Sequence, residues 1–423
     1  MRIKIVICLM MLLLALSLTA CNEVKDLDFE LGVGTEDDPY VIQTYDDLFK
    51  INAVEFYYYE LQSDIYNDKN IKIIESLGVF KGVLNGNGYA IHNLIIINSD
   101  NYSFSGDRNF GLFNTLYEDS IITNLNLVDV DINVDYTGNY LLIGAIAGVM
   151  NPDSRIDNVE VSGSMKVKAK EGSIGGIVGL GSYITNAYSN VSMEVTILEN
   201  GLSVGGIAGE IAGTFNNVIA SGTIQLTRLI GSNESNNLHF MGGIAGSGNG
   251  RISRGVNDTD IEYIINDDPN YIDNISIGGI VGSICGNISD SISVGGIISP
   301  LYYESRIGGL TGSITCSGHL DFAIALTQVI TTGDKTDDDL IGVISGYEAT
   351  NIHNNMLFYT LETGFDQVYG NLSPNILIET PKSLEFYLSG TSVEYLDFVF
   401  LFKEGQLPQL NNSTYEYRHT LEP

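Results

Sequence analysis

Ile174-Gly175-Gly176-Ile177-Val178-Gly179 is the stretch whose reading decides the fold. It recurs as LIGAIAG from Leu142, VGGIAG from Val204, MGGIAG from Met241, IGGIVG from Ile277, IGGLTG from Ile307 and a weakened IGVISG from Ile341. The first glycines, Gly144, Gly175, Gly205, Gly242, Gly278, Gly308 and Gly342, stand 31, 30, 37, 36, 30 and 34 residues apart. Gly176, Gly206, Gly243, Gly279 and Gly309 follow five of them directly. Such a period marks a solenoid or array, in which one unit cannot bury its own apolar face and must stack on its neighbours.

A second element keeps step with the first. It reads as an apolar residue, any residue, then Asn: Ile91/Asn93, Ile122/Asn124, Ile156/Asn158, Ile184/Asn186, Phe215/Asn217 and Ile352/Asn354, with Arg254, Asp290 and Phe322 in the equivalent slots. Asn tolerates the left-handed backbone region and bonds to local backbone, so these positions are expected at corners, stacked into a ladder. Between corners the residues are strand formers, such as Val159, Val161, Met165 and Val167, with no helical apolar stripe. In the glycine motif, Ile174 and Ile177 are three apart, which a flat strand would send to opposite faces. The glycines between them permit a bulge or a positive φ that turns both inward.

Strand, bend, strand, bend, with a return after about 30 residues, describes a rung of a parallel β-helix, and chirality favours the right-handed coil. The expected fold is all-β: a right-handed parallel β-helix solenoid of eight or nine turns over residues 80–346, each rising about 4.8 Å. A WD-type propeller wants a Trp-Asp signature and this chain has no Trp; calcium-binding nonapeptide repeats want an Asp after GGxG that is missing here.

Met1 to Ala20 carries Arg2 and Lys4, then an apolar run from Ile5 to Leu16 that is short for a membrane span, as in an export signal. Leu18-Thr19-Ala20-Cys21 resembles the bacterial lipoprotein lipobox. That resemblance makes Cys21 the first mature residue and the bearer of a lipid anchor in a bacterial membrane. The expected organisation is a signal peptide at 1–20, a tether at 21–31, an N-terminal cap and first strands at 32–79, and the coil at 80–356. Terminal turns with a C-terminal cap follow at 357–412, and a loose tail at 413–423. Within the N-terminal part, Thr44 followed by Asp46 and Asp47 reads as the start of one short helix through Ile51, placed to cover the open end of the first rung.

The order GVGTEDDPYVI from Gly32, YYYEL from Tyr57, FKGVLNGNGYAIHNL from Phe80 and then serial GGIxG units is similar to bacterial cell-surface proteins carrying GLUG-motif repeats. The resemblance covers roughly residues 32–412. It implies a right-handed β-helix on an exported protein, with adhesion as the suspected role. Related repeats occur in streptococcal immunoglobulin A1-cleaving metalloproteases, but no protease carries over. The five histidines, His92, His239, His319, His353 and His419, include no HExxH, so the zinc ligands and general base are missing.

Composition narrows the function classes. The formal charge is -32, or about -34 once Arg2 and Lys4 leave with the signal, and only 20 residues are Lys or Arg. An acidic surface without a basic aromatic stretch sets nucleic acid aside. Of four cysteines, Cys285 and Cys316 remain after Cys8 and Cys21; their spacing of 31 residues puts them about one rung apart. They are either a disulfide between adjacent turns or two small apolar residues in an interior stack.

No catalytic or metal-binding set stands out, and no cofactor is expected. The run Asp334 to Asp339 lacks EF-hand spacing, so calcium is a weak option and a solvated loop the better reading. For a β-helix polysaccharide lyase or glycoside hydrolase, the nearest carboxylate pairing is Asp258/Asp260 against Asp290. Arg251, Arg254 and Arg306 are the only basic cluster in the middle turns, and solvated outside charges explain them better. The two long periods gain their extra residues in the same part of the unit, at 231–239 and 266–273. Insertions gathered on one face of a solenoid often mark its binding face. Asn233, Glu234, Asp267, Asp268 and Tyr271 are therefore the candidate border of a recognition site for a protein or neutral glycan. The functional expectation is a monomeric, non-catalytic binding, adhesion or display lipoprotein at the cell surface.

Overall fold

The computed structural model describes residues 28–51, 55–98, 106–199, 201–229, 238–265, 274–301, 304–316, 318–332, 338–348, 354–359, 376–378, 400–404, 406–411 and 417–418. The chain forms an all-β parallel solenoid of about seven turns. Eight short strands make one sheet: Arg108–Phe110, Leu141–Ile143, Gly172–Gly175, Leu202–Gly205, Leu238–Gly242, Asn274–Gly278, Arg306–Gly308 and Leu340–Gly342. Every pairing in it is parallel. The rest of each turn belongs to a second, larger parallel sheet, whose central members are the long bent strands Ile121–Tyr136, Arg155–Ala169, Val178–Ile197, Ala208–Arg228 and Arg251–Ile265. The eight or nine turns expected from Phe80 count one part of the coil too many. The strands ahead of Arg108, including Val79–Phe80 and Gly82–Asn85, join the large sheet alone.

Period-two burial along the long strands shows why the sequence stacks. In Val178–Ile197, Val191, Met193, Val195 and Ile197 are buried while Ser192 and Glu194 between them are exposed. In-register pairing repeats this rung after rung: Val167 pairs with Val195 and Val195 with Leu226, all inside. Apolar side chains thus line the lumen in columns, and each rung buries the face that its neighbour leaves open.

At the glycine motif both expected inward residues, Ile174 and Ile177, are fully buried. The reason for the glycines differs from the expectation. None of Gly144, Gly175, Gly205, Gly242, Gly278 or Gly308 has a positive φ. They are needed for space. A Cβ on Gly205 would lie 2.2 Å from the Ala208 carbonyl oxygen and 2.5 Å from Ala245 Cα on the next rung, and Gly175, Gly242, Gly278 and Gly308 meet the same two neighbours at 2.0–2.7 Å. Backbone reverses here against backbone, at a separation that no side chain survives. The second glycines do likewise: a Cβ on Gly206 would lie 2.2 Å from Gly243 O, and one on Gly279 would lie 2.2 Å from Gly309 O.

Left-handed backbone appears at the other corner. Asn124, Asn158, Asn186, Asn217, Arg254, Asp290 and Phe322 have φ between 50° and 56°. The registers of neighbouring strands place these seven in one column. Asn158 Nδ2 donates to Asn124 Oδ1 at 2.7 Å and Asn217 Nδ2 to Asn186 Oδ1 at 2.8 Å, whereas Asn186 Nδ2 turns to Asp157 Oδ1 at 2.9 Å and interrupts the ladder. Asn93 stands in a different corner. His92 pairs with Val128 and Ile95 with Asp131, so Asn93, at φ 59°, lies beside Asp129, at φ 56°. Two corners of the rung need a left-handed residue, and the local pattern around Ile91 does not say which one Asn93 occupies.

The short helix expected after Thr44 is a six-residue 3₁₀ turn, Tyr45–Lys50. Asp47 Oδ2 accepts from the Thr44 backbone N–H at 2.8 Å and from Thr44 Oγ1 at 2.9 Å, which fixes its entry. Part of the segment expected to hold the terminal turns, C-terminal cap and loose tail lies among the described residues. Phe400–Leu401 and Gln409–Leu410 pair antiparallel, and Phe400, Leu407 and Leu410 pack on the side of the coil against Val256, Ile292, Val294, Ile324 and Leu326. Tyr417 joins that cluster.

Gly205→Ala is expected to lower stability by about 3 kcal/mol, toward the upper end for overpacking. Gly106→Ala, where a Cβ meets nothing within 4 Å, is expected to change it by less than about 0.5 kcal/mol. Urea midpoints of the two variants check this, and equal midpoints would remove the close-approach argument.

Candidate functional site

The lateral face of the long strands carries a concavity with graded chemistry. Beyond the second corner, alternate residues point out of the coil in two columns. Pairing aligns Asp131, Ser164, Ser192, Thr223 and Asp260 in one, and Asn133, Lys166, Glu194, Gln225, Glu262, Ile298 and Ile330 in the other. Together with Gly296 and Gln328 they line an open groove of about 750 Å³ running along the coil axis. Its chemistry changes along its length. The earlier rungs present carboxylates, hydroxyls, two amides and one ammonium; Gln225 Nε2 donates to Glu262 at 2.8 Å, and Lys166 stands 3.4 Å from Glu194. The last rungs present Ile298 and Ile330, 43% and 59% exposed. A surface of this form suits an extended ligand with polar groups along most of its length and an apolar end.

Next to the groove, the outward residues switch character. The column Glu160, Tyr188, Ile219, Val256, Ile292, Ile324 starts polar and turns apolar. Ser162, Asn190, Ser221 and Asp258 form its neighbour. The C-terminal segment lies on the apolar part. There Asp258 is fully buried and accepts from the Arg418 backbone N–H, Arg418 Nη1 donates to Gly222 O, and Arg418 Nη2 lies 3.4 Å from Asp260 Oδ2. Arg254 Nη2 donates to Asn411 O at 2.8 Å.

These contacts decide the fate of several sequence-derived residues. Asp258/Asp260 and Asp290 are not brought together. Register sets Asp290 beside Arg254 at the left-handed corner, while Asp258 and Asp260 lie past it under Arg418. Arg254 is bound to the C-terminal segment rather than solvated, Arg306 lies over the Tyr347 ring at 4.8 Å, and Arg251 is exposed. Cys285 and Cys316 are joined, with sulfurs 2.15 Å and Cα atoms 5.3 Å apart. Cys285 is half-buried and Cys316 exposed, so neither is part of an interior stack. Asp339 is buried and accepts from the Ser305 N–H at 2.9 Å, so that end of the acidic run is not solvated. Cys21, Asn233, Glu234, Asp267, Asp268 and Tyr271 lie outside the described residues.

Two polar networks escaped the sequence reading. Tyr140 Oη donates to Glu210 Oε1 at 2.9 Å, and Ser173 Oγ donates to the same oxygen at 2.6 Å. Burial, together with the nearby Glu210 charge, pushes the Tyr140 phenol up to about 12. Inside the coil, Arg228 is 2% exposed with Nη1 2.9 Å from Nε2 of the fully buried His239. The alternation Ile224, Leu226, Arg228 could have signalled an inward arginine; nothing local signals Tyr140 with Glu210, which are 70 residues apart.

No family model matches the chain. Over 144 residues, 31% of this chain, it is 35% identical to a "Putative Gly-rich membrane protein" of Evansella cellulosilytica. Over 196 residues, 43% of this chain, it is 31% identical to halomucin of Haloquadratum walsbyi. The matched regions span 15% and 2% of those relatives' lengths. Among solved structures, the chain is similar to one described as a putative immunoglobulin A1 protease from Bacteroides ovatus, at 16% identity and a TM-score of 0.40, over 90% of this chain and 95% of that one.

Burial holds the carboxyls of Asp290 and Asp321 above the usual carboxylate range; Ser289 and Arg254 partly offset this at Asp290, and His319 at Asp321. A raised native value means that the neutral acid is the form favoured by folding. The stabilisation is complete below the ordinary carboxylate range and is lost as pH rises through the raised value. Asp290→Asn is therefore expected to raise the urea midpoint at pH 7 and leave it unchanged near pH 3, and a lower midpoint at pH 7 would reverse the assignment.

Proposed function

We propose that this chain is a surface-held, non-catalytic binding module whose lateral groove takes an extended protein or glycan ligand. The observation that carries the reading is the axial run of outward residues from Asp131 to Ile330, one continuous concavity across successive rungs. A ligand lying along it meets one outward position of each column at every step of about 4.8 Å, so contacts add with length. The carboxylates nearest to a hydrolytic pairing are engaged elsewhere, Asp258 and Asp260 by Arg418. That favours binding over turnover.

The rest of the reading follows from sequence. The coil is right-handed, by the chirality of parallel crossovers, and its serial glycine motif is of the GLUG type. Residues 1–20 are an export signal, Cys21 carries the lipid, and residues 22–31 tether the coil to a bacterial membrane. The membrane-protein name of the Evansella relative supports that placement. The 3₁₀ turn Tyr45–Lys50 covers the start of the coil. By the placement of the insertions at 231–239 and 266–273 in the repeat, Asn233, Glu234, Asp267, Asp268 and Tyr271 are proposed as the border of the recognition site.

The test is binding of the lipid-free mature chain to a glycan array and to extracellular-matrix proteins, with product release assayed on every glycan retained. Binding without turnover is expected, weakened about tenfold or more by Thr223→Arg, which fills the groove floor at unchanged thermal midpoint. Turnover, or binding indifferent to Thr223→Arg, contradicts the proposal.

A further inference from the structure

Strand Ile65–Tyr66 pairs in parallel with Ala90–His92, so Tyr66 and His92 are direct partners. Their rings stack at 4.3 Å with an interplanar angle of 10°. Among the described residues, Ala90–His92 is the strand paired with Ile65–Tyr66, and His92 is the ring stacked on Tyr66. Tyr66 is 50% exposed and lines a cavity of about 320 Å³. Gln43, Asp46, Asp64 and Asp68 line it with Tyr66.

The platform is held rigid. Asn67, 2% exposed, donates through Nδ2 to Ile71 O at 2.9 Å and to Asn93 O at 3.0 Å, and accepts from the Ile71 N–H at 2.7 Å. The backbone after Tyr66 is thereby clamped to the next rung. Asp64 Oδ1 accepts from the Ala90 N–H at 2.8 Å, which fixes one wall. Asp46 Oδ2 meets Lys69 Nζ at 2.8 Å across the rim. A flat apolar face with oxygen acceptors at its edge, one of them fixed through Asp64, is a partly preorganised receptor for one ring.

We propose that this N-terminal cavity binds a neutral pyranose, stacked on Tyr66 as the next step of the Tyr66–His92 ladder. A sugar ring presents an apolar face of C–H groups to the aromatic plane and a rim of hydroxyls to surrounding acceptors. Asp64 and Asp68 suit hydroxyl donors, and with Lys69 paired to Asp46 they leave the rim net negative, which disfavours a uronate carboxylate. A peptide aromatic side chain would use the platform but leave these acceptors without donors, so the sugar fits better. This site is separate from the lateral groove and stands or falls independently of it.

The test is saturation-transfer NMR and titration of the full chain in detergent with methyl glucoside, methyl galactoside, glucuronic acid and phenylalanine amide. A neutral glycoside is expected to receive saturation through its ring C–H protons. Tyr66→Ala is expected to weaken it about tenfold or more and Tyr66→Phe about threefold or less. Glucuronic acid is expected not to bind, and Thr223→Arg is expected to leave glycoside binding unchanged. Absence of glycoside binding, binding indifferent to Tyr66→Ala, or preference for phenylalanine amide would overturn the assignment. Unaltered thermal midpoints in both Tyr66 variants tie the loss to the platform rather than to the fold.

Discussion

Backbone running against backbone at the glycine apex is the constraint on which the rest of the molecule depends. Each turn brings a strand of the small sheet and the following strand of the large sheet so close that Gly175, Gly205, Gly242, Gly278 and Gly308 have no room for a Cβ. The apex amides bond along the coil axis: Gly206 N–H to Gly243 O and Gly243 N–H to Gly279 O, both at 2.9 Å. Apolar columns fill the lumen, and their burial supplies the driving force. Burial is tolerant of which aliphatic residue does it, whereas the apex is not. Register at the apex sets the register everywhere, since a slip of one residue would turn every inward column outward.

From that register follows the surface. Past local bulges at Leu127/Val130 and Gly181/Tyr183 the central rungs stay in register, so outward residues fall into straight columns, and a column can carry a chemical gradient that no single rung has. The lateral groove is such a gradient, from Asp131 to Ile330. The stripe under the C-terminal segment is another, from Glu160 to Ile324. The stripe turns apolar at Ile219 and the groove at Ile298, two rungs later, and over Val256, Ile292 and Ile324 the chain folds back on itself with Phe400, Leu407, Leu410 and Tyr417. The later rungs are thus shielded on one flank and open on the next.

What the sequence discloses follows the same division. A close approach or a left-handed corner restricts residue type at one position, and a solenoid repeats the restriction, so the glycine motif and the Asn slots stand out by period alone. The substitutions in the Asn column, Arg254, Asp290 and Phe322, were legible because the spacing outlived the residue type. Asn93 looks like a member of the Asn column because both corners impose the same local demand, and only the pairing of His92 with Val128 distinguishes them. The groove left no trace, since an outward position accepts any polar residue and repetition does not constrain it. The packing of the C-terminal segment had a visible sign: Ile292-Ser293-Val294 breaks the polar-out alternation with apolar residues on the outside. Its partner, more than 100 residues further on, could not be read from any local pattern. Tyr66 and His92 were likewise unremarkable until pairing across the rung made them a stack.

Native-state hydrogen exchange at the apex amides tests the central claim most directly. If the glycine column holds the register, the N–H groups of Gly206 and Gly243 exchange only through global unfolding, with the free energy and denaturant slope of the whole coil. Exchange of these two amides through a low-energy local opening, while the strands on either side stay protected, would show that the apex follows the register instead of setting it.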